Sequence, residues 1–216
     1  MTRSGSQEPR WRRAPEERPA QIIGAALEVF GEVGLARARL EDIARRAGVS
    51  KGTIYVYFPD KDELFKEVVR STVIRPIERA ERDHAEGTPA DQLTGFMREH
   101  WRFLRSREYG ALHRMVLGEL RNFPELAEFY TVEAIARGLQ VLTDIIQRGI
   151  DAGDFRAMDA RAAARGLTAM FISHAVWCAD RACFPHLADK SDDEVFAELS
   201  DLFFHAIRAR GDAPVA

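Results

Sequence analysis

LEDIARRAGVSKGTIYVYFPDKDEL, running from Leu40 to Leu64, holds three helix starts, one tight turn and a surface with no core duty. Ile43, Ala44 and Ala47 recur at helical spacing, which gives residues 40 to 47 one apolar side. Gly48 ends that helix, since a glycine just past the last periodic residue takes the left-handed conformation that a helix C-terminus needs, and Ser50 caps the next helix. Two short helices separated by a three-residue turn result. In the second, about Lys51 to Phe58, the inward side needs Ile54, Phe58 and part of Tyr55, while Lys51, Gly52, Thr53, Val56 and Tyr57 face elsewhere. A cation, a bare backbone, a hydroxyl and a phenol suit phosphates and base edges. Asp60 reads as the next N-cap, with Glu63 completing a capping-box variant. Lys61 then falls in the first turn of a third helix, where the helix dipole disfavours a cation unless a phosphate binds there.

These residues carry a resemblance. IARRAGVSKGTIYVYF and DKDEL at their spacing, with RPAQIIGAALEVFGEVG (Arg18 to Gly34) before them, resemble the DNA-binding domain of the tetracycline-repressor (TetR) family over about the first third of the chain. The resemblance implies that Lys51, Gly52, Thr53, Tyr55 and Tyr57 meet DNA from the recognition helix and that Lys61 meets a phosphate; Ser50, the cap of that helix, is a further expected DNA contact. One position departs from the pattern: Arg39 stands where the family usually has threonine or serine. The cap is lost there, and Arg39 is expected to contact the DNA backbone instead.

The 216 residues have an ordinary soluble balance, 46% hydrophobic and 30% charged, with net charge -3. Residues 1 to 70 are slightly basic and the remainder acidic, which suits a chain that presents its front to nucleic acid. Two cysteines, Cys178 and Cys183, form no disulfide framework, so a cytoplasmic protein is expected. The polar N-terminus and the lack of a long apolar run argue against a signal peptide and a membrane span.

In chain order, residues 1 to 18 read as a flexible arm in which Arg10, Arg12 and Arg13 surround Trp11; a solvated tail and a DNA-contacting arm are both open. Residues 19 to 64 form the helix-turn-helix domain. Its first helix, about Pro19 to Val33, presents Ile22, Ile23, Ala26, Leu27 and Phe30 to a small core with Leu40, Ile43, Ile54 and Phe58. A fourth helix starts at Lys61 and runs into the 80s, with Leu64, Phe65, Val68 and Val69 packing on the front and Ile74, Ile77 and Ala80 pointing to the rear. Pro76 in its middle removes a backbone bond and kinks the axis, as a hinge or as a static bend.

From Thr88 every strong pattern is helical, so the fold class is all-α: the three-helix DNA-binding domain followed by a helical bundle over 65 to 216. Ser191 with Glu194 restarts the last helix as a capping box, after a helix of about Ala160 to Cys183. Their wide apolar stripes exceed one core's needs and mark a partner surface at Trp177, Val195, Leu199, Leu202, Phe203 and Ala206. The resemblance implies that the partner is a second copy, and a homodimer suits a palindromic double-stranded operator read by two short helices. The rear helices also place aromatic, methionine and histidine side chains on apolar faces, as a cavity for a hydrophobic or amphipathic effector requires. Phe96, His100, Trp101, Leu104, Met115, Ile135, Leu139, Phe171 and His174 are its candidate lining, and core packing is the competing reading for each aromatic.

No glycine-rich phosphate loop, HExxH, CxxC or GxSxG is present, and the histidines lack ligand spacing. Neither catalysis, a metal nor a cofactor is expected. The expectation is a ligand-responsive DNA-binding repressor; the alternative is a helical ligand-binding or interaction protein that has lost specific DNA binding.

Overall fold

The computed structural model describes residues 14–83, 86–179, 183–185 and 189–209; the expected cluster of arginines around Trp11 lies outside them. Described residues form nine helical rods and no strand, apart from one bridge between Phe155 and Arg208. α1 is Ala14–Val33, so it takes in the end of the stretch expected to be a free arm and holds Pro19 within it. α2 is Leu40–Ala47 and α3 is Lys51–Tyr57. α4 begins with Lys61–Val69, passes through a π-helical segment Arg70–Ile74, and continues as Arg75–Asp83. α5 is Pro89–Leu104, and α6 is Arg107–Glu119 followed by a 3-10 turn Leu120–Asn122. α7 joins Pro124–Phe129, a second π-helical segment Tyr130–Ala136, and Arg137–Asp151. α8 is Ala160–Ala179 and α9 is Asp192–Ile207.

Local chemistry explains the boundaries. Gly48, at φ 67°, closes α2 in the left-handed region and sends its N–H back to the Ala44 carbonyl. Ser50 accepts the Thr53 N–H at 3.1 Å and starts α3. Asp60 accepts the Glu63 N–H at 2.8 Å. The reciprocal half of that expected capping box is not made, because the Glu63 carboxylate accepts from Lys66 at 2.7 Å instead. Complete boxes form at Thr88 with Asp91 and at Ser191 with Glu194.

Pro76 has no N–H to return to the carbonyl four residues back. The chain absorbs this one turn earlier, where the Arg75 N–H reaches five residues back to the Arg70 carbonyl. The expected kink is thus a π turn ahead of the proline. No proline accounts for the π segment of α7, and nothing in its residues explains it. The two π segments pack against each other.

Two cores result. In the first, Phe30, Ile43, Ile54, Leu64 and Phe65 of α1 to α4, with Leu35 of the turn between α1 and α2, share their packing with Leu112, Met115 and Leu120 of α6. α1 docks closely there: a Cβ on Gly31 would lie 2.6 Å from the Ala111 Cβ. The second gathers Leu93, Met97 and Trp101 of α5, Leu142 and Ile146 of α7, Leu167 and Phe171 of α8, and Leu199 and Phe203 of α9. Trp101 fastens α5 to α9 by donating its indole N–H to the Asp192 carbonyl at 3.1 Å.

Candidate nucleic-acid interface and effector cavity

α3 stands on Ile54 and Phe58, both buried, and turns the rest of its surface outward. Tyr55 is 49% exposed and Val56 77% exposed. Tyr57 is half-buried against the first core, the reverse of the order expected for the two tyrosines. The helical period explains it: Tyr57 lies one turn beyond the buried Ile54 and shares its side, while Tyr55 is rotated away. Gly52 is exposed, and Thr53 is half-buried with its hydroxyl 2.8 Å from that of Ser50.

Carboxylates already occupy cations of α2 and α3. The Lys51 ammonium donates to Glu41 at 2.5 Å and lies 5.9 Å from the centre of the Tyr55 ring. That hydrogen bond holds Lys51 above and Glu41 below their usual ranges. Arg45 pairs with Asp42 at 2.5 Å, and Arg46 with Glu28 at 2.9 Å and Glu32 at 2.8 Å. Arg39 is exposed in extended backbone before α2 and caps nothing with its side chain, as the missing threonine or serine implies. Lys61 spends its ammonium on the chain itself: it donates to the Leu35 carbonyl at 2.7 Å and reaches those of Ala36 and Ala38 at 3.4 Å. Those carbonyls supply the negative partner for a cation at this helix start.

Behind this face lies a cavity of about 590 Å³, within the range of ligand pockets. α4 contributes Val73, Pro76, Ile77, Arg79 and Ala80; α5 gives Phe96, His100, Phe103 and Leu104; α6 gives Tyr109, His113, Val116 and Leu117; α7 gives Tyr130, Ala134, Ile135, Gly138 and Leu139. Phe96, His100, Leu104, Ile135 and Leu139 of the expected lining therefore come together. Trp101 and Phe171 do not line it, because both are buried in the second core. Met115 belongs to the first core, and the His174 Nδ1 lies 2.9 Å from the Met170 carbonyl oxygen with its ring against Trp177, so neither borders the cavity.

Burial keeps the cavity's imidazoles and phenols neutral. Burial lowers His100 to about 4 and pulls His113 down, and it raises the Tyr130 phenol. Burial, with the Tyr130 charge adding to it, also raises Tyr109, whose hydroxyl lies 3.2 Å from the His113 Nδ1. Glu99 and Arg102, which also line the cavity, are joined in an ion pair, and the remaining wall charge is Arg79. Expectation from sequence omitted the α4 wall and Tyr109. The signal was present for α4, since Val73, Ile77 and Ala80 recur at helical spacing and share one side of it.

On the rear surface, Val195, Leu199 and Phe203 are buried in the chain's own second core instead of facing outward, since they form the inner stripe of α9. Leu202, 60% exposed, and Ala206 stand on the outer face, with Trp177 half-buried on α8. No helix among the described residues is long and apolar enough to cross a membrane.

Comparison with known proteins gives this geometry a family. Residues 22–68 match the model of bacterial regulatory proteins of the tetR family, and residues 91–209 match the C-terminal domain of AefR-like transcriptional repressors. A fatty acid metabolism regulator protein of Bacillus subtilis is 32% identical over 146 residues, 66% of this chain and 74% of that one. The transcriptional repressor KstR2 of Mycolicibacterium smegmatis is 26% identical over 147 residues, 66% of this chain and 69% of that one. The crystal structure of FadR from Bacillus subtilis in complex with stearoyl-CoA superposes with a TM-score of 0.71 at 26% identity, over 88% of this chain and 99% of that one. With an N-terminal and a C-terminal match that together span most of its length, the chain belongs to the tetR family of ligand-responsive, DNA-binding transcriptional regulators.

Proposed function

We propose that the protein is a homodimeric cytoplasmic repressor that binds palindromic operator DNA through α3 and is released when a hydrophobic or amphipathic effector fills the cavity between α4, α5, α6 and α7. Binding, not catalysis, is its work. One observation carries this reading: a single helix belongs to both ends. Leu64, Phe65, Val68 and Val69 of α4 are buried in the core that supports α3, and Val73, Pro76 and Ile77 of the same helix line the cavity. A ligand that displaces the second half of α4 also moves the recognition helix. In a dimer this changes the separation of the two reading heads and opposes simultaneous engagement of two half-sites.

The outer faces of α8 and α9, with Trp177, Leu202 and Ala206, are the surface assigned to the second copy. On α3, Lys51, Gly52, Thr53 and Tyr55 take the operator, with Arg39 and Ser50 beside them and Tyr57 at the inner margin. The stearoyl-CoA held by the FadR neighbour supports an apolar or amphipathic effector as a class. The test is operator selection from a random DNA pool by the purified protein, followed by titration of the selected duplex. Salt-dependent binding to a palindrome at two chains per site supports the proposal; weak, sequence-indifferent binding refutes it.

A further inference from the structure

His100 lines the cavity in the middle of an aromatic column, its ring centre 5.9 Å from that of Phe96 and 6.3 Å from that of Phe171, nearly parallel to both. Its Nε2 is buried and has no hydrogen-bond partner among the described residues. The neighbouring polar pair is different, since Tyr109 and His113 satisfy each other at 3.2 Å. A phenylalanine at 100 would stack between Phe96 and Phe171 equally well and strand no nitrogen. The buried Nε2 therefore costs stability with no hydrogen bond from the described residues in return, which is what a group held for a ligand looks like.

Resting on the reading of this cavity as the effector site, we propose that the effector is an uncharged apolar molecule carrying a hydroxyl group, and that His100 selects it through that hydroxyl. Meeting a ligand requires a half-turn about the Cβ–Cγ bond, which exchanges Nε2 with Cε1 and keeps the ring in its stack. A hydroxyl both donates and accepts, so it satisfies Nε2 in either tautomer of a neutral imidazole, whereas a carbonyl satisfies only one. The absence of charge follows from the wall. Glu99 and Arg102 neutralise each other, burial keeps both histidines uncharged, and Arg79 is exposed on α4, so a charge deep in the cavity meets no partner.

The experiment is equilibrium dialysis of the full-length protein against 2-naphthol and against naphthalene, two probes that differ by one hydroxyl. Wild type is expected to bind 2-naphthol about ten-fold more tightly, the effect of one hydrogen bond to an otherwise stranded buried group. His100→Phe is expected to erase the preference while keeping naphthalene within about three-fold of wild type; His100→Leu repeats the measurement should the first variant fail to fold. Equal binding of both probes by wild type, or a preference that survives in either variant, overturns the role of His100. If neither probe binds wild type, the cavity is not an apolar ligand site, and both this inference and the effector reading beneath it fall.

Discussion

The Lys61 ammonium lies 2.7 Å from the Leu35 carbonyl oxygen and within 3.4 Å of those of Ala36 and Ala38, so it ties the turn between α1 and α2 to the start of α4. A hydrogen-bonded cation shared by three carbonyls is a stabilising device for the reading head. Replacing it with methionine, Lys61→Met, should lower stability by about 1–2 kcal/mol, read as a lower urea midpoint at unchanged m. The salt dependence of operator binding should change little, because this ammonium serves the fold.

Lys51 behaves differently. It is exposed and held by Glu41 at 2.5 Å, a partner that a phosphate must displace. Lys51→Ala should reduce the slope of log K against log salt by about one. Glu41→Gln removes the competitor and should tighten operator binding a few-fold at low salt, an advantage that fades as salt screens the face. Fluorescence anisotropy across a salt series separates these outcomes.

The closeness of α1 and α6 also has a measurable consequence. A methyl group on Gly31 would sit 2.6 Å from the Ala111 Cβ, so the two helices can approach only because glycine is there. Gly31→Ala gains helix propensity yet forces the helices apart, and a net loss of about 1–3 kcal/mol is expected in chemical denaturation. The double change Gly31→Ala with Ala111→Gly should recover much of it.

Much of the reading head was legible in the residues themselves, because caps and turns are local chemistry. Ser50, Gly48 and Asp60 act at the positions their types require, and Ile54 and Phe58 point inward as the period demands. What escaped were long-range contacts. Nothing local shows that the Lys61 ammonium meets carbonyls 23 to 26 residues away, or that Glu41 claims Lys51. The cavity was half-legible for the same reason. Periodicity marks Phe171 and Phe96 alike as apolar-face residues, and only packing sends the first into the core and the second to the wall. Tyr57 and Tyr55 exchanged their expected exposures through one residue of helical phase.

His100 sets an acid limit on stability. Burial holds its folded value near 4, below the ordinary 6.5, so the unfolded chain binds more protons between those values. Its contribution is present in full above pH 6.5 and is lost as pH falls from 6.5 towards 4. His113, also lowered by burial, acts with the same sign, and Glu99 and Arg102 share the wall. His100→Phe should therefore flatten part of the stability loss over that window, seen as a smaller drop in Tm between pH 6.5 and 4.5 than in wild type.

The shared helix is tested most directly without any effector. Gly138 of α7 faces Ile77 of α4 across the cavity wall, and a Cβ there would come within 3.3 Å of the Ile77 Cδ1. Gly138→Leu fills this space and pushes α4 as a ligand would. The deciding measurement is the affinity of the folded Gly138→Leu protein for the duplex that wild type selects from a random pool, at one fixed salt concentration. Coupling through α4 gives an affinity lower by about 5- to 150-fold. Wild-type affinity in a folded variant whose cavity no longer takes 2-naphthol would contradict it.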